Sequence, residues 1–301
     1  MGKIFKRVAF SEIKNTFYDF AKEEINIETK QSILEYTKEG MLFVQTTTSP
    51  LFNFDNNISQ KLISLASETN SRYIIANNGA EIFDAKDKKY LKFTTIDKSI
   101  IEKILMLVAK NDCAIDFNFL VDFDLTDSNE IVFNNTNLNR NNSEVLSISI
   151  SAKPDVLSQI HNKLLKNNLK IEMVFNNDSI DITAKNVSLQ NSIDYLINKV
   201  LNADINDSMA IAYSEKDLAT FNKIGFLYAV DDAPKSVKDS VKLFTSATNQ
   251  NGVGEAFMDY FYRTRMKFEI AEKIRIQKLK KAKEEAKINR QKENRAKISN
   301  D

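Results

Sequence analysis

One histidine, His161, and one cysteine, Cys113, leave this chain few routes to metal or thiol chemistry. A single cysteine excludes an internal disulfide and a thiolate metal cluster, and a single histidine excludes the usual His-based zinc sites. His161 falls in a helical pattern over 156–165 and reads as a structural side chain. The stretch with a ligand signal is Tyr73–Phe83, YIIANNGAEIF. Apolar Tyr73–Ala76 reads as a buried strand. It halts at Asn77-Asn78-Gly79, residues that accept positive φ at low cost. A buried strand ending on a polar turn sits where open α/β sheets gather ligands. The plainer alternative is an ordinary hairpin, with Glu81–Phe83 returning.

The elements that would position this turn follow in order. Residues 4–10 read as a first strand, 28–39 as a helix capped by Gly40, and 41–45 as a strand running into Thr46-Thr47-Thr48. A helix over 58–68 leads to the strand at Tyr73. This β-α-β-α-β order implies a parallel sheet with right-handed crossovers. Alternating segments then suggest half-buried strands at 90–95, 114–119, 130–133, 145–151, 170–175 and 179–184, with helices over 96–110 and 154–167. A polar loop, NNTNLNRNN, occupies 134–142. The βα style returns from Val187, with helices at 189–201, 216–224 and 237–241, strands at 209–213, 226–230 and 243–245, and a final helix from Val253. The expected fold is therefore α/β, with an α+β module inserted into a core split in sequence.

Hydrophobic content of 43% supports a real core, and no apolar run reaches the length of a membrane span. The N-terminus lacks the apolar stretch of a secretory leader, and a cytoplasmic setting is expected. Charge is unevenly placed. Residues 263–301 hold 14 Lys/Arg against 6 Asp/Glu, a net of +8, while the remainder holds 28 against 35, a net of −7. Residues 255–297 contain neither Pro nor Gly and read as helix. Met266, Phe268, Ile270, Ile274, Ile276 and Leu279 give its first half an apolar surface suited to a protein partner.

Four stretches together resemble the haloacid dehalogenase (HAD) superfamily, in its Cof-like sugar-phosphatase branch: ETKQSILEYTKEG at 28–40, YIIANNGAEIFD at 73–84, FLYAVDDAPKSVKDSVKLFT at 226–245 and NQNGVGEAF at 249–257. The resemblance implies a Rossmannoid core over 1–84 and 186–262, a cap inserted over 85–185, and a basic helical extension, 263–301, added to the family fold. Active members end their first strand in Asp-x-Asp-Gly-Thr, whose first Asp attacks phosphorus and whose second is the general acid and base. With Phe10 aligned, Ser11 and Ile13 take those places. Glu12 is set aside because neighbouring strand residues point to opposite faces. The family's phosphate-binding Thr or Ser is Thr47, its Lys is Leu189, the first Asp of its fourth motif is Tyr213, and Asp217 keeps the last, beside Lys216.

These substitutions lead to the expectation of no catalytic residues, no enzyme activity and no cofactor, since one carboxylate holds Mg²⁺ poorly. The chain would instead serve as a scaffold or adaptor subunit, docked through its C-terminal helix. The alternative is a Mg-dependent sugar-phosphate or nucleotide phosphatase, or a phosphate sensor, with a pocket at Thr47, Asn78 and Asp217. A second alternative is association with RNA or the ribosome through the basic tail.

Overall fold

The computed structural model describes residues 5–19, 22–51, 58–120, 123–125, 131–133, 144–176 and 178–298, and side chains within these up to residue 287 apart from 58–60, 123–125 and 131–133. The polar loop expected over 134–142 lies outside the described residues. A central sheet of eight strands has β1 (Val8–Glu12) near its middle, paired in parallel with β4 (Leu42–Thr46) on one edge and β14 (Met209–Ala212) on the other. On the β4 side follow β5 (Tyr73–Ala76), β6 (Glu81–Asp84) and β7 (Lys89–Phe93); on the β14 side follow β15 (Phe226–Val230) and β16 (Leu243–Thr245). The chain winds outward from β1 in both directions, which makes its carboxyl end a topological switch point.

Hydrophobicity on both faces explains why β1 is central. Val8 and Phe10 enter one core cluster with Ile193, Leu196 and Phe221, while Ala9 and Ile13 enter the opposite cluster with Phe43, Phe257 and Tyr260. The first cluster is closed by α5 (Leu189–Tyr195) and α6 (Glu215–Phe221), the second by α1 (Ile27–Lys38), α2 (Ile58–Glu68) and α8 (Gly252–Arg263). Asn26 caps α1 by accepting the Thr29 N–H at 3.1 Å, and Gly40 follows its last turn at φ +88°.

The strand expected over 4–10 lies later, at Val8–Glu12. Ser11 and Glu12 stay in the ladder because Gln45 and Thr46 stand opposite them on β4. The segment over 89–93, expected in the cap, extends the core sheet by pairing antiparallel with β6. The inserted module builds its own antiparallel sheet, in the order β12 (Ile171–Phe175), β13 (Ser179–Ala184), β11 (Val145–Ser151), β8 (Ala114–Phe119). Helices α3 (Lys98–Val108) and α4 (Pro154–Lys166) cover one face of it with Ile104, Leu157 and Ile160. His161 lies half-buried on α4 with its ring 5.0 Å from Phe175.

The final helix is broken. Between α8 and α9 (Arg265–Ile298) stands Thr264, buried, with its hydroxyl donating to the Tyr260 carbonyl at 2.7 Å. Arg7 fixes this break. Its Nε donates to Thr264 Oγ1 at 2.9 Å, and its guanidinium lies between the rings of Phe261 and Phe268, 4.1 Å from each centroid. Burial and stacking replace the water that an arginine normally keeps. Replacing Arg7 with Ala is expected to lower stability by about 2–4 kcal/mol, since it removes the stacked side chain and the donor to the Thr264 hydroxyl oxygen. Urea denaturation followed by far-UV circular dichroism measures it, and a loss under about 0.5 kcal/mol would refute the clamp.

Candidate active site

At the switch point the ends of β1, β4 and β14 bring together a carboxylate, two hydroxyls and a second carboxylate. Glu12 closes β1, and its Oε2 accepts from Thr46 Oγ1 at 3.4 Å. Thr47 lies near enough to favour the charged form of this carboxylate, and Asp217 repels it. Burial, then the charge of Asp217, push the Glu12 carboxyl up to about 8, against the pull of Thr46, Thr47 and the Ile13 backbone.

Asp217 sits in the first turn of α6, 7% exposed, where its Oδ2 accepts the N–H groups of Tyr213 at 2.9 Å and Ser214 at 2.8 Å. Ser214 caps the same helix reciprocally by accepting the Asp217 N–H. Burial raises the Asp217 carboxyl above the ordinary range, opposed by those backbone donors, the Ser214 hydroxyl and Lys216. A half-buried carboxylate, Glu12, raised by the charge of a buried one, Asp217, forms a site a cation would stabilise.

The sequence-predicted positions divide. Thr47, Asp217 and the backbone of Tyr213 come to this site. Ser11 is buried and donates to the Glu12 carbonyl at 3.0 Å, and Ile13 is fully buried in the core. Leu189 opens α5 and packs against the cluster containing Phe10. Lys216 donates to Asn176 of the inserted module instead of pairing with Asp217. Met266, Ile270, Ile274, Ile276 and Leu279 are exposed on α9, whereas Phe268 turns inward onto Arg7.

Two features were missed. Alternation along β1 does separate Glu12 from Ser11, but it puts Glu12 on the face of Val8 and Phe10, one step past their covering side chains. The loop after β1 also carries a signal that only backbone angles expose. Asn15 has φ +62°, a region favoured by glycine, and Thr16 follows it, buried. Glu12-Ile13-Lys14-Asn15-Thr16 thereby repeats the spacing carboxylate, x, charged residue, left-handed residue, threonine. Lys14, Asn15 and Thr16 line a cavity of about 510 Å³ with Tyr213 and Asp232.

Asn78 lies in the turn after β5 at φ +53°, close to a second cavity of about 450 Å³ between core and module. A buried relay crosses it. Asn118 Nδ2 donates to Ser147 Oγ at 2.8 Å, and Ser147 Oγ donates to Asn77 Oδ1 at 2.6 Å. Below it lies Glu81, 1% exposed, accepting from Leu51 N at 3.0 Å and Tyr90 Oη at 3.2 Å. Burial raises the Glu81 carboxyl to about 7.

Residues 10–257 match the haloacid dehalogenase-like hydrolase family, and this chain belongs to it. No curated protein is matched by the sequence. Solved structures share the fold. A haloacid dehalogenase-like hydrolase from Bacteroides thetaiotaomicron is 17% identical with a TM-score of 0.64, covering 85% of this chain and 100% of its own. A subclass IIB sugar phosphatase of the superfamily is 15% identical with a TM-score of 0.64, over 85% and 99%. A protein from Thermotoga maritima is 15% identical with a TM-score of 0.63, over 85% and 97%.

The family match overturns the expectation that the chain is not an enzyme, because it spans the strand ends that carry this site and the family is one of hydrolases. The expectation also ended the first strand at Phe10, whereas the strand runs on to Glu12. Family members use Mg²⁺, and the residues here fit such an ion. Among the described residues no three His, Cys, Asp or Glu side chains cluster, but a magnesium site needs only one or two carboxylates beside water and phosphate oxygens. Glu12 and Asp217 would hold it.

The raised Glu12 carboxyl has a consequence for stability. Unfolded, it ionises near the ordinary 4.5; folded, near 8. Between these values the native state keeps a proton that the unfolded state has lost, so stability falls as pH rises. Glu12→Gln removes this loss. The variant is expected to exceed the parent by about 1–3 kcal/mol near pH 8, and by nothing near pH 4. Paired denaturation curves at the two pH values decide it, and an equal difference at both would refute the assignment.

Proposed function

We propose that this chain hydrolyses phosphate monoesters at the site formed by Glu12, Thr46, Thr47 and Asp217. The observation that carries this reading is the half-buried Glu12 carboxylate, set beside two hydroxyls and a second carboxylate at the switch point of a hydrolase-family core. The carboxylate, x, charged residue, left-handed residue, threonine spacing that Glu12 opens supports it as the nucleophile. Its ionised oxygen bonds to phosphorus as the ester P–O bond breaks, and the leaving oxygen takes a proton from the Lys14 ammonium or from water. Water then cleaves the glutamyl phosphate, releasing phosphate and restoring the Glu12 carboxylate. Thr47 orients the phosphate by hydrogen bonding. Lys14, two residues on, brings positive charge to the phosphate where the family has its second acid. Asp217, fixed by two backbone N–H groups, shares with Glu12 the task of holding Mg²⁺. When bound, Mg²⁺ supplies charge neutralisation of the phosphate oxygens. The similarity to a solved subclass IIB sugar phosphatase supports small sugar phosphates as the first esters to try.

Mg²⁺-dependent phosphate release from a panel of small monoesters is the direct test. Glu12→Gln and Asp217→Asn are each expected to lower kcat/KM at least about 100-fold, and Thr47→Val about tenfold. The alkaline rise of kcat/KM should move to lower pH as Mg²⁺ is increased, because the cation favours ionised Glu12. Turnover that survives Glu12→Gln, or no turnover on the panel, would sink the proposal.

A second reading concerns α9. Met266, Ile270 and Ile274 form an exposed row at i, i+4 spacing, with Met266 76% exposed. This row suits a protein partner, as an addition to hydrolysis. Replacing Ile270, Ile274 and Ile276 with Gln spares the Arg7 clamp and should abolish stable co-sedimentation with such a partner; steeply salt-dependent RNA binding would point to nucleic acid instead.

A further inference from the structure

The wall that the module turns toward the core is polar and of one sign. Strand register builds it. Asp116 on β8, Ser149 on β11 and Asp181 on β13 form one rung across three neighbouring strands, and Asn118 and Ser147 are the partners two residues along. The alternate residues Ile148, Ile150, Ile180 and Ile182 face the covering helices instead. Asp116, Asn118, Ser147, Ser149 and Asp181 all line the 450 Å³ cavity, and its lining among the described residues includes no basic and no aromatic side chain. Asp181 is fixed in place, accepting from Ser149 Oγ at 2.8 Å and Asn176 Nδ2 at 3.0 Å. Lys216 is held on Asn176 and does not line the cavity. Asp116 is exposed at the rim.

A separate observation points to a ligand. Asn77, 1% exposed, lines the same cavity, and its Nδ2 has no hydrogen-bond partner. The amide leans toward Glu81 and holds that carboxyl down somewhat, without a completed hydrogen bond. A buried donor of this kind calls for an acceptor oxygen.

We propose that this cavity selects phosphate esters whose alcohol part is a polyol carrying an amine, and rejects those carrying a second phosphate or an aromatic base. The proposal rests on the reading of the chain as a phosphate-monoester hydrolase. The ammonium meets Asp116 and Asp181. Hydroxyls meet Asn118, Ser147 and Ser149, and one hydroxyl oxygen accepts from Asn77 Nδ2. Among the described lining residues a second phosphate meets like charge with no cation to offset it, and a base finds no ring to stack on.

The test compares glucosamine 6-phosphate, glucose 6-phosphate and fructose 1,6-bisphosphate on the Mg²⁺-loaded full chain, by calorimetric affinity and by turnover. The amine is expected to be preferred over the neutral sugar about three- to tenfold, the bisphosphate to be weakest, and the amine preference to shrink in high salt. Asp116→Asn should bring the amine-to-neutral ratio near one, while an intact circular dichroism spectrum and melting curve show that the variant folds. Binding preference without turnover upholds the cavity assignment and removes the hydrolase reading. Turnover without preference removes this assignment alone. Absence of both overturns both.

Discussion

Pairing on both edges and burial on both faces hold β1 in a single register, and the rest of the molecule depends on that. A slip of one residue would exchange Val8 and Phe10 with Ala9 and Ser11 between two finished cores. The same register carries Glu12 past the covering helices to the switch point. Chemistry at this end of the sheet is thus a by-product of packing at its middle. The cost is electrostatic. Burial and Asp217 both disfavour the charged form of Glu12, so this end of the sheet carries a carboxyl destabilised in its ionised form.

The neighbouring polar groups divide into those that complete one another and those that do not. Asp217 is locked by two backbone donors and a capping box, which makes it a rigid partner for whatever Glu12 meets. Asn118, Ser147 and Asn77 form a closed chain from module to core, short at 2.6 Å where it crosses. That crossing joins two sheets that otherwise have separate cores, and it sits against the buried Glu81. A polar crossing of this kind fixes orientation more than it adds stability, because its gain over water is small.

The C-terminal extension is joined to the core by a different logic. Arg7, just before β1, fills the notch at Thr264 and stacks between Phe261 and Phe268. One side chain at the start of the chain thereby sets the direction of a helix that begins more than 250 residues later. Beyond Phe268 that helix turns its apolar residues outward.

Much of this was legible in local pattern. The parallel core, the inserted antiparallel module, Gly40 as a cap and the strands at Tyr73–Ala76, Ala114–Phe119 and Val145–Ser151 follow from periodicity and turn chemistry, which act over a few residues. Thr47 and Asp217 entered only through the family resemblance, as positions matched to its motifs. What tertiary structure alone decided is where long-range partners make the difference. Glu12 joined the site because Thr46 on β4 and Asp217 on α6 surround the end of β1, and no window of the sequence contains all three. Asn15 shows its left-handed turn only in its backbone angle. The helix breaks at Thr264 without Pro or Gly, because Arg7 supplies from outside what no neighbour in the sequence could.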